Sequence, residues 1–122
     1  MAHQVVWVDI PATNIDRAIH FYSIILNGKI EKQEFPGMSI GTFPMGPNEV
    51  SGCVFQKEGE MPSSSDHGPL VYLNVNGRLD EILKKVVPNG GKILQPRQDI
   101  SPYGFRAIIL DSEGNRIALH SM

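Results

Sequence analysis

The sequence predicts an α+β fold built from two copies of a strand–helix–three-strand unit. Three observations predict it. Val8, Ile10 and Ala12 are matched 63 residues later by Val71, Leu73 and Val75. Gly28-Lys29-Ile30 is matched at the same spacing by Gly91-Lys92-Ile93. Each half also carries one amphipathic helical pattern between these anchors, with short β-rich runs after them. Two βαβββ units make two curved mixed sheets with one helix outside each, and the cleft between such sheets is where a ligand is expected.

The first unit is read over 5–57. Val5 to Ile10 is rich in β-formers and alternates little, which predicts a strand with both faces covered, ended by Pro11. Thr13-Asn14-Ile15-Asp16 is a helix start, with a Thr or Asn cap and an acidic first turn. Ala18, Ile19, Tyr22 and Leu26 form the apolar stripe, and Asn27-Gly28 stops the helix. Lys29 to Gln33, Ser39 to Phe43 and Val50 to Gln56 are the three strands that follow. Residues 58–69, polar with Gly, Pro and three consecutive Ser, read as a linker. The second unit, 70–121, repeats the order. Leu70 to Asn76 is a strand, and Leu79, Ile82, Leu83 and Val86 make a helical stripe that Pro88-Asn89-Gly90 terminates. Lys92 to Gln95, Phe105 to Leu110 and Arg116 to His120 are strands, the last two joined by the turn Asp111–Asn115.

At 122 residues the chain is long enough for one domain with a sizeable core. A net charge of −2 without like-charge runs argues against nucleic acid or an anionic membrane surface as partner. The absence of an apolar stretch of about 18 residues or a signal pattern at Met1-Ala2-His3-Gln4 leads us to expect a cytoplasmic protein. The single Cys53 excludes an internal disulfide and a Cys-x-x-Cys site.

Asn14-Ile15-Asp16-Arg17-Ala18-Ile19-His20-Phe21-Tyr22 with Asn27-Gly28, and Leu110-Asp111-Ser112-Glu113-Gly114-Asn115-Arg116-Ile117-Ala118-Leu119 in the second half, resemble the vicinal oxygen chelate superfamily. That superfamily includes lactoylglutathione lyase, bleomycin-resistance proteins and extradiol dioxygenases, and the chain resembles short relatives of the lyase. The resemblance implies the doubled βαβββ fold and a homodimer, which exposed sheet edges also favour. Its metal-dependent members take one ligand from the first and last strand of each unit. By the helix anchors those positions are Trp7, Ser51 (or Gly52), Leu70 and Ala118, and none carries a His or carboxylate. The expectation is therefore a pocket without metal or other cofactor, binding a hydrophobic or planar small molecule. The alternative is a lyase- or isomerase-like enzyme with a non-standard metal site or a metal-free acid–base group.

Candidate ligand-binding residues are Trp7, Cys53, Phe55, Tyr72, Asn74, Arg106 and His120. Trp7 is a stacking platform or a packing residue. Cys53 and His120 lie two residues beyond Ser51 and Ala118 and so read as equivalents, either a nucleophile–base or metal-ligand pair, or a small buried hydrophobe and a solvated His. Asn74, disfavoured in mid-strand, contacts a ligand or makes a turn hydrogen bond. Arg106 follows the loop Ser101–Phe105; either Arg106 or Tyr103 grips an anionic ligand, or Arg106 is a plain surface charge. His20 is expected to be exposed. His3 and His67 are given no role.

Overall fold

The computed structural model describes residues 4–60 and 69–122, so His3, His67 and 61–68 of the expected linker lie outside the described residues. The chain divides into two compact units, Met1–Pro62 and Ser63–Met122.

The first unit runs β1 (Trp7–Pro11), α1 (Ile15–Ile25), β2 (Lys32–Phe35), β3 (Met38–Thr42) and β4 (Ser51–Lys57). Its sheet has the order β1-β4-β3-β2. β1 pairs parallel with β4, and the β2–β3 and β3–β4 pairs are antiparallel. Asn14 caps α1, its Oδ1 accepting from the Arg17 N–H at 3.0 Å. The buried face of α1 is Ile15, Ala18, Phe21, Tyr22 and Ile25. Ile25 takes the place expected for Leu26, because a stripe starting at Ile15 recurs at i+3, i+7 and i+10. β1 differs from expectation. It is an edge strand, Val5 and Val6 precede it exposed, and only Val8 and Ile10 point to the covered face. Pro11 is its last residue, which an edge tolerates because no ladder donor is lost.

The second unit runs β5 (Val71–Asn74), α2 (Leu79–Val86), a 3-10 turn over Val87–Asn89, β6 (Lys92–Asp99), β7 (Phe105–Leu110) and β8 (Arg116–Ser121). The sheet order is β5-β8-β7-β6, again with one parallel pair, β5–β8. α2 has no side-chain cap, but Asp80 and Glu81 in its first turn and Lys84 and Lys85 in its last oppose the helix dipole favourably. β5 stops at Asn74 rather than Asn76, because the Asn74 Oδ1 accepts from the Asn76 N–H at 2.8 Å and turns the chain. β6 is longer than expected and irregular, with register shifts around Gln95; as an edge strand it accommodates Pro96. The two units are α+β and have the same topology, as the repeat predicts. No helix of the described residues is long and apolar enough to cross a membrane.

The ladders correct one equivalence. Asp9 pairs with Cys53, and Tyr72, 63 positions after Asp9, pairs with Ala118. The N–H of Ala12 donates to the Phe55 carbonyl at 2.7 Å, and that of Val75 to the His120 carbonyl at 2.9 Å. Cys53 therefore corresponds to Ala118, and His120 corresponds to Phe55. The expected Cys53–His120 equivalence was one pleat out of step, because parallel register is set by the crossover and not by the local pattern.

Candidate functional site

Strand alternation divides each sheet into a face under its helix and an open face. In the first unit the helix side is marked by Ile10, Val54 and Gly41. A Cβ on Gly41 would run into Ile19 of α1. Trp7, Asp9, Ser51, Cys53 and Phe55 therefore stand on the other face. In the second unit Ala107, Ile109, Ile117 and Leu119 are buried on the helix side. Leu70, Tyr72, Asn74, Arg106, Ile108, Ala118 and His120 have the opposite parity. All seven sequence-predicted residues thus lie on open faces, three in the first unit and four in the second.

In the first unit, Asp9 organises its neighbours, and it is the residue that sequence reasoning missed. The Trp7 Nε1–H donates to Asp9 Oδ1 at 2.9 Å, and the Cys53 Sγ–H donates to the same oxygen at 3.3 Å. The signal was present: a carboxylate between Val8 and Ile10 needs donors, and an indole two residues away shares its face. Burial first, then the hydrogen bond and charge of Asp9, push the Cys53 thiol up to about 11. Cys53 is thereby a buried neutral donor rather than a poised nucleophile. At pH 8 such a thiol is only ~0.1% thiolate. Asp9→Asn removes the charge while the desolvation remains, so alkylation of Cys53 by iodoacetamide at pH 8 is expected to accelerate several-fold. An unchanged rate would show that Asp9 does not act on the thiol.

In the second unit, Tyr72, Arg106 and His120 come together. The Arg106 Nη1–H donates to the Tyr72 hydroxyl oxygen, and its Nε–H donates to Gln98 Oε1 at 3.0 Å. The Arg106 guanidinium carbon is 5.9 Å from the Tyr72 ring centroid. The rings of Tyr72 and His120 meet edge-on, centroids 6.4 Å apart at 63°. The His120 Nε2–H donates to the Tyr103 carbonyl oxygen at 2.7 Å, which leaves Nδ1 as an acceptor in the neutral ring. Tyr103 is held by the hairpin end Ile100–Gly104, where Ile100 N–H donates to Gly104 O at 2.9 Å and Tyr103 N–H to Ile100 O at 3.0 Å. Asp99 accepts from the hydroxyl and N–H of Ser101, and these bonds hold its carboxyl below the usual value. Asn74 belongs to the turn described above, and Tyr103 presents its carbonyl to His120 while its ring is exposed. Among the described residues, no group of three or more His, Cys, Asp or Glu is gathered as for a metal.

The family model described as the Glyoxalase/Bleomycin resistance protein/Dioxygenase superfamily matches residues 4–119. The chain belongs to this superfamily. Among its relatives is "Putative glyoxylase CFP32" of Mycobacterium bovis, 28% identical over 117 residues. That match takes in 93% of this chain but 43% of the relative, so the chain spans under half the length of the mycobacterial protein. A glyoxylase-like domain-containing protein of Didymella fabae is 30% identical over 129 residues, covering 95% of this chain and 91% of that protein. Solved structures similar in fold include a superfamily domain from Frankia sp. (TM-score 0.74, 17% identity, 98% of this chain and 97% of that one). Glyoxalase I of Leishmania major is similar too (TM-score 0.72, 18% identity, 98% and 87%). Within the glyoxalase-superfamily pattern, the ladder equivalence matters: if Ala118 is the last-strand position of the second unit, its counterpart in the first is Cys53, neither Ser51 nor Gly52.

Proposed function

We propose that this protein binds a hydrophobic or planar small molecule and does so without the metal used by metal-dependent members of its superfamily. The observation that carries the reading is the pair of open sheet faces furnished with aromatic rings. Trp7 is 41% exposed in the first unit and Tyr72 is 45% exposed in the second. A divalent cation does not fit the corresponding positions, where the side chains are an indole, a protonated thiol and two alkyl groups: Trp7, Cys53, Leu70 and Ala118. Such rings offer area at low entropic cost, and the neighbouring polar groups orient a ligand.

The test is a titration with planar aromatic compounds. Saturable quenching of Trp7, the only Trp, is expected, with a rise in melting temperature at saturation. A panel of such compounds that moves neither signal sinks the reading. A second reading, a metal-free lyase or isomerase, is favoured by the His120 ring, whose Nδ1 is an available base. Turnover that vanishes in His120→Gln would select it. A homodimer belongs to the same proposal, supported by Val5 and Val6, 62% and 70% exposed beside the edge strand β1. Sedimentation at a monomer mass would remove that part.

A further inference from the structure

We infer that the open face of the second sheet takes the carboxylate of a planar organic acid, held by Arg106 and the Tyr72 hydroxyl. The inference rests on the small-molecule reading above and names the class of ligand. Arg106 carries five N–H donors. One from Nε goes to Gln98 and one from Nη1 to Tyr72. Both acceptors are neutral, and among the described residues no carboxylate lies within ion-pair distance of this guanidinium. Arg97 differs, with its Nη1 3.0 Å from Asp80 Oδ2. The two bonds to Gln98 and Tyr72 fix the plane of the Arg106 fork and leave the Nη2 hydrogens and one on Nη1 for a ligand. A fork held in place on neutral partners has a charge to satisfy and has lost part of its rotamer entropy beforehand.

Tyr72 adds a second donor. Its oxygen accepts from Arg106, so its own hydroxyl hydrogen is free to point to the ligand. The planar body of the acid would rest on exposed Tyr72 and half-buried Ile108, which flank the fully buried Ala118 on this face. The edge of His120 bounds it on the next pleat, its ring fixed by the Tyr103 carbonyl. Carboxylate is the anion that best matches such an arrangement, since two coplanar oxygens meet a planar fork while the attached ring rests on apolar side chains.

The experiment is an NMR titration of the full chain with 2-naphthoate and with its neutral isostere 2-naphthamide. The acid is expected to shift the amide signals of Tyr72, Arg106 and His120 at a concentration at least about tenfold lower than the amide. In Arg106→Gln the tenfold preference is expected to disappear while amide binding persists, which also shows that the variant is folded. Tyr72→Phe is expected to retain part of the preference. Equal binding of acid and amide overturns the inference and leaves the small-molecule reading standing. So does a preference that survives Arg106→Gln, or displacement of the acid by equimolar inorganic phosphate. Failure of both compounds to shift any signal overturns the inference, and silence across the wider aromatic panel removes the small-molecule reading as well.

Discussion

Gly52→Ala is expected to destabilise the first unit by about 3 kcal/mol and to disturb its open face at the same time. Gly52 lies in β4 opposite Val8 of the edge strand β1. A methyl group there would collide with the Val8 carbonyl oxygen and come within 3.3 Å of the Val8 carbonyl carbon and Cβ. The obstacle is backbone, so no rotamer change relieves it, and β1 must move away from β4. Trp7 and Asp9 travel with β1, whereas Cys53 stays on β4. The hydrogen bond from the thiol to Asp9 should therefore be lost together with ladder bonds. Urea unfolding followed by the fluorescence of Trp7 reads the stability, because that residue sits on the displaced strand. Faster alkylation of Cys53 reads the displacement. An unchanged urea midpoint would mean that β1 has room that the ladder does not indicate.

The same residues show what can be read from a sequence of this kind. The doubled architecture was legible because its anchors are local: an alternating apolar triplet and a Gly-Lys-Ile turn, each twice at one spacing, with an amphipathic helical stripe between them in each half. The shared facing of Cys53 with Ser51 and of His120 with Ala118 was legible for a related reason, since a period of two fixes which side chains share a face once a strand is placed. What could not be read depends on pairings between distant segments. The match of Cys53 with Ala118 needs the parallel registers Asp9↔Cys53 and Tyr72↔Ala118, which no local pattern encodes. The bonds that make Asp9 and Arg106 interesting, to Cys53 and Tyr72, span 44 and 34 residues. Asn74 shows the converse. It was singled out because Asn is rare within strands, and its partner two residues on explains it as a turn former.

Asp111→Ala is expected to cost the second unit about 3 kcal/mol, a fall of roughly 10 °C or more in melting temperature. Asp111 is only 2% exposed at the turn between β7 and β8. Its Oδ1 accepts from the N–H groups of Glu113 and Asn115, each at 2.8 Å, and its Oδ2 from Asn115 Nδ2 at 3.0 Å. Alanine withdraws both acceptor oxygens and strands donors inside the protein, which is costlier than the loss of exposed bonds. Asp111→Asn, which keeps one carbonyl oxygen, should fall between the two. Faster hydrogen exchange at Glu113 and Asn115 would place the damage at the turn, and an Ala variant as stable as the parent would deny that the carboxylate organises it. The effect should remain a stability effect. The pair Arg106↔His120 lies four ladder steps from Leu110↔Arg116, at the other end of the β7–β8 hairpin. Below its lower melting temperature the variant should therefore keep the preference for naphthoate over naphthamide. The Arg106→Gln change should do the opposite, sparing the melting temperature and abolishing the preference. Contrary behaviour of the pair would show that the hairpin transmits the turn's geometry along its length, so that fold and recognition on this sheet are one property.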